Sequence, residues 1–217
     1  MNRPPAHAFL LCNGEPPSRA LVRQLASASG YVVAADGGAN IARRFGIRPR
    51  VIIGDLDSIS AATRKRFRAS LLLRLRGQDN TDLEKALDFI VAQGFRKVVI
   101  AGVTGKRIDF TLANLSVLWQ YVRRLEIEIV GDGWRALPVR RKITVRARRG
   151  TTVSVIPFGQ CRGVTLRGLR YPLRNATLRV GEVGVSNVVA DSPFSVRVGC
   201  GKLLVLILKQ KKARPAR

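Results

Sequence analysis

Aspartates are the residues best placed for chemistry. In VIIGDLDS, Val51 to Ser58, three β-branched residues run through a glycine into Asp55 and Asp57. In extended chain, positions two apart face the same way, so the two carboxylates project together and Leu56 turns to the apolar side. Paired carboxylates repel, and the arrangement becomes favourable when a divalent cation lies between them and a phosphate. The plainer reading is a strand-end turn whose acids pair with nearby arginines.

Three further segments repeat the pattern. GQDNTDLEKAL places Asp79 and Asp82 at the mouth of a helix. Its start is a capping box, with Thr81 capping and Glu84 reaching back, which accounts for those two residues but not for Asp79. AADGGAN ends a strand at Asp36. Gly37 and Gly38 then let backbone approach a ligand ahead of a helix whose amide end favours anions. GVTGKRIDFTLANL contributes Gly102, Thr104, Gly105, Lys106 and Arg107, a basic loop suited to phosphate but without the GxxxxGK[ST] spacing. Asp109 opens the next helix. Ile108, Leu112, Leu115, Trp119 and Val122 form its apolar stripe, read as core, and Asn114 falls off that stripe on the side of the site.

Other chemistries are poorly served. The single histidine, His7, lies near the start, which removes Ser-His-Asp, Cys-His and most zinc schemes. Cys12, Cys161 and Cys200 form no CxxC pair and read as small core residues of a reduced cytoplasm. No apolar run reaches membrane-spanning length, Leu203 to Leu208 being strand-sized, and the opening residues do not read as a signal peptide. The formal net charge is +25, from 39 Lys and Arg against 14 Asp and Glu. Such a field attracts polyanions, nucleotides or nucleic acid. Six of the 14 acids (Asp36, Asp55, Asp57, Asp79, Asp82, Asp109) nevertheless fall at strand ends on one expected sheet edge. An acidic centre in a basic molecule reads as Mg²⁺ with nucleotide phosphates.

The elements that must position these residues alternate. HAFLLCN, YVVAAD, RPRVIIGD, LLLRL, RKVVIAGV and EIEIV read as strands. Helices stand between them over 18–29, at ANIARRF and SAATRKRFRAS, over 81–93 and over 108–124. This alternation predicts an α/β fold with a mostly parallel sheet flanked by helices. Near Gly131 the texture changes to short runs alternating every second residue, from RALPV to KLLVLIL, punctuated by Gly, Pro and Asn. That predicts a smaller all-β sandwich domain. The expected domains are 1–133, nucleotide-binding and catalytic, and 134–217. MNRPPA and KQKKARPAR read as loose tails.

In this order, AADGGAN, IIGDLDS, QDNTDLEKAL and GVTGKRIDFTLANL resemble the thiamine pyrophosphokinase family. Its pattern runs ADGGAN, GDxDS, D-x-TDxxKAL and a GxxGxRxDH-like segment continuing into LxN. GVSNVV and the run after it resemble the family's thiamine-binding domain more loosely. The resemblance implies transfer of pyrophosphate from Mg-ATP to the thiamine hydroxyl with release of AMP, by a homodimer with sites at its interface. It assigns Mg²⁺ to Asp55, Asp57 and Asp82. It assigns nucleotide and phosphates to Asp36, Gly37, Asn40, Lys106 and Arg107, with Arg107 counted among the catalytic residues. It places Gln78, Asp79, Asn114, Ser186 and Asn187 near thiamine.

Two departures stand out. Phe110 replaces the family's usual histidine, and Lys106 stands where a second glycine is frequent. If that histidine acts as a positioned acid or base, its loss costs about 10²–10⁴-fold; if it only packs, phenylalanine is harmless. Two alternatives accompany this reading. One is a diphosphokinase for another heterocyclic alcohol, such as a hydroxymethylpterin. The other is a basic nucleic-acid-binding protein. Nonspecific adhesion to nucleic acid at low salt is expected in any case.

Overall fold

The computed structural model describes residues 7–77, 79–182 and 184–209. The two expected tails, apart from Lys209, and the candidate Gln78 lie outside the described residues. The chain divides into two compact units at Asp132/Gly133.

The first unit alternates as β1 Ala8–Leu11, α1 Arg19–Ser29, β2 Val32–Ala35, α2 Gly38–Phe45, β3 Val51–Gly54, α3 Ala61–Arg66, β4 Leu71–Arg74, α4 Asp82–Ala92, β5 Lys97–Ala101, α5 Ile108–Val117 and β6 Glu126–Gly131. The strands stand in the order β6-β5-β1-β2-β3-β4, every pair parallel. β1, β2 and β3 are buried along their whole length, the pattern of a sheet covered on both faces. Phe9, Leu11, Val22, Ile41, Ile52 and Phe67 centre one core cluster. The chain lays β1 to β4 outward in one direction and then returns to place β5 on the other side of β1. The resulting switch point lies between β1 and β5. Ligands of open α/β sheets bind beyond the carboxyl ends of strands at such a point.

The second unit holds β7 Trp134–Val139, β8 Lys142–Val145, β9 Thr152–Pro157, β10 Cys161–Arg167, β11 Leu173–Leu178, β12 Asn187–Val188, β13 Phe194–Arg197 and β14 Leu203–Leu208. They form two antiparallel layers, β12-β9-β14-β7 and β11-β10-β13-β8. Val153, Val155, Val205 and Ile207 from one layer and Val164, Leu166, Phe194 and Val196 from the other share a core. This is the sandwich that period-two alternation predicts.

One expectation fails. The stripe of Ile108, Leu112, Leu115, Trp119 and Val122 is not core. α5 stops at Val117, a 3₁₀ turn follows at Leu118–Gln120, and no residue of α5 is buried. Ile108 is 74% exposed and Leu112 57%. The periodicity is real, but only its C-terminal half is packed: Leu115, Trp119 and Val122 are half-buried, while Ile108 and Leu112 stand uncovered by the described chain.

Candidate active site

The loops after β1, β2, β3 and β5, with the start of α4, enclose a cavity of about 340 Å³. Cys12, Asn13, Asp36, Asp57, Ser58, Asp82, Lys106, Arg107, Phe110 and Asn114 are among the residues that line it. The β1 and β5 loops are tied across the switch point: the Gly14 amide donates to Gly102 O at 2.6 Å and the Glu15 amide to Thr104 O at 2.7 Å.

The acidic side is built by turns. The Asp36 amide donates to Ile53 O at 2.8 Å, registering the end of β2 against β3. Asp55 and Asp57 do come together with Leu56 buried behind them, but not by extended alternation. Leu56 has φ 65°, and Asp55 Oδ1 accepts the Asp57 amide at 3.1 Å. A compact turn delivers both carboxylates to one side. Asp36, Asp55 and Asp57 each offer an oxygen within 4.8 Å of the others. Asp36 is 3% exposed, and its Oδ1 is buried without a hydrogen-bond partner. An unpartnered buried carboxylate oxygen between two other carboxylates suits a hard divalent cation such as Mg²⁺.

The trio thus contains Asp36 where the sequence reading placed Asp82. Asp82 lies alongside: a methyl group at Gly54 would stand 2.9 Å from Asp36 Cβ and 3.0 Å from Asp82 Oδ1. Asp82 Oδ1 accepts from Lys85 Nζ at 3.3 Å, and Lys85 is itself buried. Burial pushes the Asp82 carboxyl above the ordinary aspartate range, Lys85 offsets part of this, and the charges of Asp36 and Asp55 add to it. Burial, reinforced by Asp82, pushes the Cys12 thiol far up, which makes it a poor nucleophile.

The basic side comes from the β5 loop. Lys106 Nζ donates to the backbone oxygen of Asn13 at 2.6 Å and to its Oδ1 at 3.3 Å. Arg107 forms a forked ion pair with Asp109 and stacks 4.4 Å over the Phe110 ring. This pairing holds the Asp109 carboxyl below the usual range. Phe110 therefore supports a cation where the family pattern has histidine. Asn114 Nδ2 donates to Val103 O at 2.9 Å and so braces the loop.

Several candidates sit elsewhere. Asn40 Nδ2 donates to Ser58 O at 2.7 Å, and its Oδ1 accepts from the Ser60 amide and the Thr63 hydroxyl. It staples the aspartate turn to α2. Gly37 and Gly38 make room for protein: a methyl group on Gly38 would stand 2.2 Å from Leu11 O, and one on Gly37 2.3 Å from Asn13 Nδ2. Asp79 is exposed and is not a lining residue. Ser186 and Asn187 belong to the second unit. Asn187 is buried, and its amide clamps Tyr171, donating to its O at 2.7 Å and accepting from its N at 3.0 Å. Ser186 is exposed, with φ 60°. Asn13 and Ser58 were missed, although Asn13 is the first polar residue after β1, the position type that marked Asp36.

Comparison with known proteins agrees with this layout. The model of the thiamin pyrophosphokinase catalytic domain matches residues 22–130, and that of the family's vitamin B1 binding domain matches 140–203. A thiamine pyrophosphokinase of Bacillus subtilis is 28% identical over 169 residues, 74% of this chain and 79% of that protein. The crystal structure of a thiamin pyrophosphokinase from Geobacillus thermodenitrificans superposes with a TM-score of 0.82 at 26% identity, covering 96% of this chain and all of that one. One from Candida albicans shares the fold, with a TM-score of 0.82 at 15% identity over 94% of this chain and 90% of that one.

Proposed function

The chain belongs to the thiamin pyrophosphokinase family, and from that premise we propose that Asp36, Asp55 and Asp57 hold Mg²⁺ for its reaction. The protein is a thiamine diphosphokinase, moving pyrophosphate from ATP to the hydroxyl of thiamine. The observation that carries the metal assignment is the orphaned, buried Asp36 Oδ1 inside the carboxylate trio.

The hydroxyl oxygen bonds to the β-phosphorus, the bond from β-phosphorus to the α-bridging oxygen breaks, AMP departs with that oxygen, and the hydroxyl proton is released. A bound Mg²⁺ supplies charge neutralisation on the phosphates. Lys106, anchored on Asn13, and Arg107 bring positive charge from the β5 side. Arg107 is held in the meantime by Asp109, whose two oxygens occupy the guanidinium fork that would otherwise grip two oxygens of a phosphate. Positioning and electrostatics do most of the work in such transfers, so no strong base is required. Asp82, beside the trio, keeps Lys85 in place and shares the local negative field.

Asp79, Asn114 and Ser186 are the side chains proposed to meet thiamine, whose cationic ring suits acidic and amide groups, with Asn187 fixing the backbone beside Ser186. The exposed apolar side chains of Ile108 and Leu112, one turn apart on α5, support a homodimer in which a second copy covers them. The free cysteines support a cytoplasmic setting. Among the described residues no helix is long and apolar enough to cross a membrane.

Metal dependence tests the assignment. Asp36→Asn and Asp57→Asn should raise the Mg²⁺ concentration for half-maximal activity at least tenfold, while Asp191→Asn leaves it unchanged. Equal Mg²⁺ dependence in all three would remove the trio as the metal site.

A further inference from the structure

The second unit carries a surface that the pyrophosphoryl transfer does not use. No Asp or Glu occurs between Asp132 and Glu182, a stretch that includes β7 to β11 and basic residues from Arg135 to Arg179. In the β11-β10-β13-β8 layer, Ile143, Val145, Val164, Leu166, Leu173, Phe194 and Val196 turn into the core. The alternate positions therefore form the outward face. The register sets Lys142 directly opposite Arg197, and Arg197 opposite Thr165. In the next row Thr144 faces Ser195, and Ser195 faces Arg167. Arg174, after Leu173, extends the face onto β11. Lys142, Arg167, Arg174 and Arg197 are all exposed, and among the described residues none has an ion-pair partner. Glu182 is engaged by Arg179 at 3.2 Å, and Asp191 stands in the loop before β13.

Like charges directly opposite across strands destabilise a sheet. A merely solvated face would relieve Lys142 and Arg197 by mixing signs, and this one does not. We propose that this outward face binds the phosphate backbone of nucleic acid without reading its sequence. Cations on four adjacent strands, about 4.8 Å apart from strand to strand, neutralise phosphates and release their counterions. The hydroxyls of Thr144, Ser195 and Thr165 between them are donors for phosphate oxygens. No exposed aromatic lies on these strands to stack a base, so nothing there discriminates sequence. A membrane surface fits less well, because none of the large exposed apolar residues lies on the four strands to enter a bilayer. The proposal is independent of the kinase site.

The test is fluorescence anisotropy of a labelled mixed-sequence single-stranded RNA of about 16 nucleotides, the upper site size of a small β-domain, titrated at several KCl concentrations. Each lost phosphate contact flattens the log–log salt slope by about 0.7 on a single strand. The combined Lys142→Gln, Arg167→Gln, Arg174→Gln and Arg197→Gln protein should therefore flatten it by about 3. Its thiamine diphosphokinase activity should persist, showing that it is folded. A matched protein with Arg23, Arg48, Arg68 and Arg123 changed to Gln should keep the wild-type slope, and so should Arg167→Lys, Arg174→Lys and Arg197→Lys combined. Equal flattening in both Gln proteins would reduce the effect to diffuse charge and overturn the site. Binding to phosphatidylserine vesicles with none to RNA would overturn the ligand class.

Discussion

At Asp36 the protein keeps a carboxylate 3% exposed with one oxygen unpartnered. A buried carboxylate oxygen without a partner is costly unless it meets a cation, which fits the proposed metal role. Lys85 is the counterweight. Lys85→Met leaves Asp82 without its cation beside Asp36 and Asp55, and should lower stability in EDTA by about 1–2 kcal/mol, as measured by urea unfolding. Part of that loss should return on adding Mg²⁺. Asp82 also gives a pH signature. Its folded pKa is raised from 3.8, so the native state holds its proton more tightly than the unfolded chain. This group's contribution is fully present below the ordinary aspartate value and is lost as pH rises through the folded one. Unfolding free energy of the metal-free protein, followed upward from pH 4, should fall in wild type and be flatter in Asp82→Asn. At this scale the sequence reading paired Asp55 and Asp57 by extended alternation, and the pairing held for another reason, a compact turn at Leu56. It could not show that Asp36 completes them, because that depends on β2 lying in register beside β3.

The alternation of helices and strands was legible because each element carries its own periodicity and stop signals. Helices α1 and α2 end at Gly30 and Gly46, both in the left-handed region. Thr81 and Glu84 form the capping box their spacing announces. α5 shows where such reading ends. Its apolar stripe states that the helix has a partner, not which chain supplies it. The structure leaves Ile108, Phe110 and Leu112 outside. Leu112→Asp should then shift the proposed dimer toward monomer in sedimentation equilibrium, with little change in monomer stability, since Leu112 is 57% exposed. An unaltered mass would show that another surface mediates association, or none.

Across the whole molecule, the change of texture near Gly131 and the division at Asp132/Gly133 reflect two ways of building a core. One is a parallel sheet that demands crossovers, the other a sandwich that needs only turns. Charge is partitioned as well, with acids concentrated at the carboxyl edge of the first unit and almost absent from the second. Asn13 was legible in principle, as the first polar residue after β1, but the commitment of Asn187 to Tyr171 was not. It depends on a contact between separate segments, and no local spacing encodes it. The central claim is that the acidic edge of the parallel sheet catalyses pyrophosphoryl transfer, and product analysis tests it most directly. Purified protein is incubated with Mg-ATP and thiamine, with Asp57→Asn as control, and the nucleotides and thiamine esters are separated by chromatography. The account predicts AMP and thiamine diphosphate in equal amounts, dependent on thiamine and sharply reduced in the variant at the Mg²⁺ concentration that just saturates the wild type. ADP with thiamine monophosphate, or undiminished AMP from Asp57→Asn, would contradict it.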